Sequence, residues 1–375
     1  MKIRQNIPAV LMTAALLAAA WMVPAAAEDG TAAEAAGEAA SEEEMVGGMT
    51  GMPNPWTDTD TLADAQSLAG VSFRKLPVVD GYETLVYRAM EGEMLEVIYY
   101  DEEGNEGLRI RKAPGTDDIS GVYDDSWMNA VISADYEEYS VQMRGHATDE
   151  DDPSSIDRIY VATWSMNENG SPYAYAIDVQ EAVLGVPEMT ELVEFMNSGL
   201  PVFTCNHEDA DVPYMAAICE YLVSEYSDEY SAVTIPAPYV MYVDDTDPSA
   251  VKVWGNFWTC SYDLERTTLN SMSGGEAPGI MELTVDQEGQ YTVTSFRSAG
   301  DGDQYAEDIR AFCEEAGSDQ AGHLEELFLE SSDLRAEPVS AVRTEFIEQY
   351  VDDNALEIDS YKDYGWDPVM LDTGE

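Results

Sequence analysis

The chain has 375 residues, of which 75 are acidic and 17 basic, and its formal net charge is −58. A surface this acidic repels nucleic acids and anionic membranes, so the sequence argues against partners of either kind. Apolar residues make up 45% of the chain, and with 22 tyrosines and 7 tryptophans they are numerous enough to build hydrophobic cores.

The first 27 residues are typical of a secretory signal peptide. Lys2 and Arg4 precede the apolar run PAVLMTAALLAAAWMV, and small residues at 25–27 form a cleavage site. An uncleaved transmembrane anchor is the alternative, but the apolar run is short for a membrane span and ends at Pro24. We therefore expect a secreted or cell-envelope protein without a membrane span after signal cleavage.

Composition and patterning divide the remainder into three parts. Residues 28–52 are acidic and rich in Ala and Gly, with no basic residue, and are predicted to be a disordered linker. Residues 53–200 and 201–375 are each predicted to form an α+β domain, because a chain of this length exceeds one domain of about 100–200 residues. In both domains we expect an antiparallel sheet packed with helices.

In the first predicted domain, TDTLADAQSLAG has the capping residues and the apolar spacing of a helix, with Gly70 as its stop. The segment VPEMTELVEFMN is a closing helix with Pro187 near its start. Between them, turn residues separate the strand-like segments ETLVYRAM, MLEVIYYD, GLRIRKA, YSVQMRG, DRIYVATWSM and PYAYAIDV.

The second predicted domain begins with a helix over residues 211–226 and ends with helices over 303–315 and 338–352. The strand-like segments between them are AVTIPAPYVMYVDD, AVKVWGNFWTCSYDL, RTTLNSM, GIMELTV and QYTVTSFR.

The stretch SGGEAPGIMEL, residues 273–283, contains three glycines and a proline. It does not match the phosphate-binding pattern G-x-x-x-x-G-K-[ST], because Gly279 is followed by Ile280. We interpret it as the hairpin connection between the strands RTTLNSM and GIMELTV.

Both halves resemble known folds. The run EVIYYDEEGNEGLRIRKAPGTDDISGVYDD and the segment VATWSMNENGSPYAYAI resemble a β-meander domain of uncharacterised secreted and envelope proteins of Gram-positive anaerobes. This resemblance covers residues 53–197 and implies a fold and an extracytoplasmic location, but no activity. The order of helix, long strands and helices in residues 201–375 resembles the cone-shaped folds of the cystatin and nuclear transport factor type. The strings SGGEAPGIMEL and YKDYGWDPV also resemble uncharacterised secreted proteins.

The strand VWGNFWTCSYDL carries the candidate ligand site. By alternation, Trp254, Asn256, Trp258 and Tyr262 share one face. The cone folds that this half resembles often enclose a pocket, which ketosteroid isomerases use for catalysis. Asn256 and Tyr262 would then be polar contacts for a ligand among aromatic rings. The alternative is an aromatic core beneath a helix.

Arg109 and Arg111 form a candidate anion site, because they share a strand face and arginines bind anions in a bidentate manner. The alternative is that they pair with acids of the same chain. The acids that follow them closely are Asp117, Asp118, Asp124 and Asp125.

No catalytic, metal or cofactor residues are assigned. No GxSxG or CxxC pattern occurs, and His146, His207 and His323 are scattered. The acidic segments TDEDDPSSID and VDDTDPS contain oxygen ligands suited to calcium, but they also read as solvated turns. Two expectations remain open for the four cysteines, Cys205, Cys219, Cys260 and Cys313. They form one or two disulfides, or they are buried free thiols.

We therefore expect a secreted or envelope protein that acts as a non-enzymatic binding module for an extracellular ligand or protein. One alternative is a hydrolase or isomerase with a pocket in the second domain. Another is an acidic, cation-binding surface protein.

Overall fold

The computed structural model describes residues 54–123, 126–149, 155–205, 213–228, 230–247 and 249–372, which contain two eight-stranded sheets and six α-helices. The predicted α+β class is therefore confirmed. The predicted signal peptide and linker lie outside the described residues. From Asn54 onward the chain forms one compact unit by its contacts, and the domain boundary at residue 200 stays a prediction.

The first eleven elements contain all six strands and both helices predicted before residue 200. In chain order they are β1 (Thr57–Thr59), α1 (Leu62–Ala69), β2 (Lys75–Leu76), β3 (Thr84–Met90), β4 (Met94–Tyr100), β5 (Glu106–Pro114), β6 (Ala130–Asp135), β7 (Ser140–Ala147), β8 (Ile156–Glu168), β9 (Ser171–Val179) and α2 (Val186–Asn197).

The first sheet is antiparallel throughout, as predicted, and joins two meanders. Its order is β1-β3-β4-β5-β9-β8-β7-β6, so β5 and β9 meet at the centre. One face packs on the two helices. Leu62 and Ala65 of α1 and Met189 and Val193 of α2 are buried in this core. Full burial of a Leu, Val or Met side chain stabilises the fold by roughly 1.5–3 kcal/mol.

Helix α1 begins and ends where its sequence predicts. The Thr61 hydroxyl accepts a hydrogen bond from the Asp64 amide at 3.1 Å and so caps the first turn. Gly70 ends the helix in the left-handed conformation, with φ of 69°.

The remaining elements form the second half of the fold. They are α3 (Met215–Tyr226), β10 (Val233–Asp244), β11 (Val251–Glu265), β12 (Thr268–Gly275), β13 (Pro278–Val285), β14 (Tyr291–Ser298), α4 (Tyr305–Glu315), α5 (Ser318–Glu330), α6 (Val339–Asp353), β15 (Ser360–Lys362) and β16 (Val369–Met370).

The second sheet is organised around β11. One edge of β11 pairs with β10, and the other pairs with β13 along its first half and with β12 along its second half. Two pairs in this sheet are parallel, β2 with β11 and β12 with β15. The prediction of an antiparallel sheet is therefore wrong for these two pairs. Strands β2 and β15 are two and three residues long, too short for alternation to reveal them.

Helices cover both faces of the second sheet. Phe257 packs with Ile218 of α3 on one face. Trp254 packs with Phe312 of α4 and Phe328 of α5 on the other. Helix α5 is absent from the sequence prediction. Within the described ranges, no helix combines the length and apolarity that crossing a membrane requires.

Strand β2 connects the two sheets. It lies between α1 and β3 in the chain, yet it pairs with the end of β11. The Leu264 amide donates to the Arg74 carbonyl at 2.9 Å, and the Arg266 amide donates to the Leu76 carbonyl at 2.9 Å. Leu76 is fully buried in the core of the first sheet. Its neighbour Lys75 is thereby held at the junction of the two halves.

The hairpin interpretation of residues 273–283 is wrong. Gly275, at the end of β12, lies opposite Thr259, and Pro278, at the start of β13, lies opposite Asn256. Both strands therefore run in the same direction along one edge of β11, and the chain does not reverse between them. The stretch is a bend within one long edge, which a pattern of turn residues does not distinguish from a hairpin.

This bend has a close backbone contact that can be tested. A Cβ atom at Gly279 would lie 2.1 Å from the Arg297 carbonyl oxygen, whereas one at Gly275 would meet nothing within 4 Å. We expect G279A to lower the free energy of unfolding by about 1–3 kcal/mol, because β14 must move away. The matched control G275A should leave it unchanged or raise it by up to about 1 kcal/mol. Urea denaturation measures both, and equal effects would contradict this geometry.

Candidate functional site

The two tryptophans of the predicted ligand face lie in the hydrophobic interior of the second half. The Trp254 indole N–H donates to the Phe312 carbonyl at 2.8 Å, and the Trp258 indole N–H donates to the Ser331 carbonyl at 3.0 Å. Both rings are buried. These contacts fix α4 and the end of α5 against β11.

The two polar side chains predicted to contact a ligand on this face form hydrogen bonds with other parts of the chain. Asn256 is fully buried, and its Nδ2 donates to the Ser331 carbonyl at 2.9 Å and to Glu276 Oε2 at 3.0 Å. The Tyr262 hydroxyl accepts from Arg343 Nε at 2.7 Å. Burial raises the pKa of Tyr262 well above its usual value, so the hydroxyl remains neutral. All four predicted ligand residues thus make contacts that hold the second half together.

Arg109 and Arg111 share a face of β5, and each has a carboxylate partner. Arg109 Nη2 donates to Glu106 Oε2 at 2.9 Å, and Arg111 Nε donates to Glu96 Oε2 at 2.5 Å. Glu106 precedes Arg109 on the same strand, and Glu96 lies opposite Arg111 on β4. Neither partner belongs to the downstream acids considered from the sequence.

Those downstream acids have other positions. Asp118 pairs with Arg144 of β7 at 2.9 Å, and Asp124 and Asp125 lie outside the described residues. A candidate anion site on this face would have to displace carboxylates that already neutralise the arginines.

The four cysteines all lie within the described residues and form no disulfide, so the disulfide expectation is wrong. Cys219, Cys260 and Cys313 are buried and Cys205 is half-buried. Burial raises the pKa of Cys219 well above its usual value, and a hydrogen bond with Cys205 acts in the same direction. The thiols therefore serve as packing groups.

Among the described residues, no group of three His, Cys, Asp or Glu side chains is placed to hold a metal ion. His146 lies 3.2 Å from Asp157 on an exposed surface, His323 is exposed on α5, and His207 is outside the described residues. Both acidic segments considered for calcium are described only in part.

A groove lies where β2, α2 and the end of β11 meet, and we call it the junction groove. Its volume is 780 Å³. Four acidic residues at its rim, Asp80, Glu188, Glu191 and Glu357, are exposed. Its walls are mainly apolar and include Val78, Val79, Val183, Leu192, Phe195, Leu200, Leu264 and Ile358.

Two basic residues line the groove. Arg266 is half-buried, and its Nη1 donates to the Glu83 carbonyl at 3.0 Å. Lys75 is the buried one. Only 4% of its surface is exposed. Its Nζ donates to the Ser198 hydroxyl at 2.9 Å and lies 4.1 Å from the centre of the Phe195 ring. Burial lowers the pKa of Lys75 to about 8.

A smaller cavity of 140 Å³ lies between α1 and the second sheet. Asp263 and Glu265 line it from the same face of β11. Asp263 is buried and accepts from the Ala232 amide at 3.1 Å, while Glu265 accepts from Asn270 Nδ2 at 3.1 Å and from the Tyr87 hydroxyl. Burial raises the pKa of Asp263 to about 7.

Sequence reasoning missed both sites because their walls come from segments far apart in the chain. The one local signal is the string VSFRKLPVV, in which Arg74 and Lys75 interrupt an apolar run. No protein-family model, curated protein or solved structure matches this chain. The candidate sites therefore rest on geometry and chemistry alone.

The buried Asp263 gives a pH-dependent prediction. Its folded-state pKa of about 7 lies above the ordinary value of 3.8, although the Ala232 amide, Arg74 and Lys112 oppose the shift. The protonated form is therefore favoured in the folded state, and stability is lost as the pH rises from 4 to 7. D263N should remove this loss, so the variant should gain stability over wild type by up to about 4 kcal/mol at pH 8 and much less at pH 4.

Urea denaturation between pH 4 and pH 8 measures the difference. D101N is the control of opposite sign, because a hydrogen bond from the Asn105 side chain lowers the pKa of Asp101. A lowered pKa gives stability that is lost only below about pH 4, so D101N should be less stable than wild type by a nearly constant amount from pH 4 to pH 8. A difference between D263N and wild type that is independent of pH would contradict the burial argument.

Proposed function

We propose that this protein is a non-enzymatic binding module that works outside the cytoplasm, secreted or in the cell envelope, and takes an apolar small molecule into the junction groove. The observation that carries the proposal is the groove itself. Its volume of 780 Å³ falls within the range of about 300–1,000 Å³ that ligand pockets occupy. Val183 and Val78 in its walls are 71% and 43% exposed, so apolar surface is available for a ligand.

The extracytoplasmic location is proposed from the signal-like first 27 residues and the acidic charge. The cone-shaped, cystatin-like description of the second half is likewise proposed. It is supported by the 15-residue β11 and by α3, which packs on one face of the sheet.

An enzyme of the hydrolase or isomerase class is the second candidate, because Asp263 is a buried acid whose pKa is raised into the neutral range. It is the weaker candidate because the cavity beside Asp263 holds only 140 Å³, less than the roughly 300 Å³ of a small ligand pocket. Turnover that D263N abolishes would favour this alternative.

The binding function can be tested with a neutral apolar molecule such as octan-1-ol and a change in the groove wall. We expect V183E to weaken binding at least tenfold, which is about 1.4 kcal/mol, because a carboxylate in the wall must be desolvated when the ligand enters. Calorimetric titration measures the affinity.

V131E is the matched control. Val131 is 63% exposed on β6 and is not among the residues that line the groove. Binding to V131E should equal that of wild type. If octan-1-ol fails to bind wild type, or binds all three proteins equally, the groove is not the ligand site.

A further inference from the structure

We propose that the natural ligand of the junction groove is a small apolar carboxylate whose carboxyl group pairs with the ammonium group of Lys75. This inference rests on the proposed binding function and names its ligand class. It follows from the environment of Lys75, from a comparison with a second buried lysine, and from the shape of the groove.

Lys75 has no carboxylate partner within the part of the chain that the structure describes. Its contacts are one hydroxyl, of Ser198, and one aromatic ring, of Phe195. The chain has 75 acidic residues, yet no ion pair forms with this lysine among the described residues. Buried ammonium groups are normally paired, because an unpaired buried charge is costly.

Lys112 is a second buried lysine of the same fold, and unlike Lys75 it has a carboxylate partner. It is 2% exposed, and its Nζ contacts Glu168 Oε2 at 2.8 Å and the Ser72 carbonyl at 2.8 Å. The chain thus supplies a carboxylate to one buried lysine and not to the other. Lys75 lines the junction groove, and its Nζ contacts the ring of Phe195 in the groove wall. A ligand in the groove can therefore reach the ammonium.

The groove walls determine which kind of group the ligand carries besides its carboxylate. Its walls are apolar, so an alkyl chain gains from burial at about 0.8 kcal/mol for each CH₂ group. The same apolar walls lower the local dielectric and strengthen the attraction between a ligand carboxylate and the ammonium. The four rim acids repel a carboxylate at the rim, but they are exposed and screened by salt. Lys75 is buried, whereas Arg266 is half-buried and already donates to the Glu83 carbonyl. The favourable orientation therefore places the head group inside, at Lys75.

The test compares octanoate with octan-1-ol, which have the same chain length and differ in charge. At pH 7 we expect wild type to bind octanoate at least tenfold more tightly than octan-1-ol in calorimetric titration. K75M should bind both with similar affinity, because the ammonium is gone; a preference that persists would assign the carboxylate to Arg266, the other basic residue that lines the groove. K252M is the control, since Lys252 pairs with Glu315 at 2.8 Å outside the groove, and it should keep the wild-type preference.

A second measurement uses wild type alone and does not depend on the folding of K75M. As the pH rises from 7 to 10, Lys75 loses its proton, so the preference for octanoate should fall towards one while octan-1-ol binding stays constant. Equal binding of both ligands to wild type at pH 7, or a preference that survives in folded K75M or at pH 10, would overturn the inference. Octan-1-ol binding without a preference leaves the proposed function intact, whereas no binding of either ligand contradicts both.

A third arm distinguishes ammonium pairing from reaction of the amine. Lys75 could condense with an apolar aldehyde, losing water to form an imine. If octanal followed by cyanoborohydride modifies Lys75 and octanoate shows no preference, the groove binds carbonyl compounds and the carboxylate assignment is wrong. Failure of octanal to modify Lys75, together with the octanoate preference, supports it.

Discussion

The short pairing of β2 with the end of β11 is the constraint on which the candidate site depends. Lys75 and Leu76 belong to the first half of the chain, but they pair with Leu264 and Glu265 of the second half. Leu76 is buried in one core and Leu264 in another, so the junction is fixed from both sides. The two sheets meet along this pairing, which forms the junction groove and positions Lys75 in its lining.

The distribution of charge explains how so acidic a chain folds. Five basic side chains are buried among the described residues, and four of them, Arg111, Lys112, Arg144 and Arg343, have carboxylate partners. The surface is thereby left more acidic than the composition alone implies. Such a surface favours solubility and repels polyanions. A single anionic ligand must therefore reach a local positive charge shielded by apolar walls, which is the environment of Lys75.

Local patterns predicted most of the fold. Alternation identified the long strands of both sheets, and the caps of α1 follow from Thr61 and Gly70 because each side chain or backbone angle acts within one turn. The sequence patterns failed where distant segments meet. The two-residue β2 has no periodicity of its own, and the bend after Gly275 uses the same residues as a hairpin.

The site was harder to predict than the fold for the same reason. Alternation placed Trp254, Asn256, Trp258 and Tyr262 on one face, but whether that face is a pocket depends on α4, α5 and α6, which come later in the chain. Those helices fill it. Lys75 carried little signal, because its lack of a carboxylate partner is a property of the packed structure and not of its neighbours in sequence.

A crystal structure of the protein with octanoate tests the central claim most directly. The account predicts a carboxylate oxygen within about 3 Å of Lys75 Nζ, with the alkyl chain along the walls formed by Val183, Leu192 and Phe195. Octanoate bound elsewhere, or bound in the groove with its carboxylate at the rim and Lys75 still in contact with Ser198 alone, would contradict it.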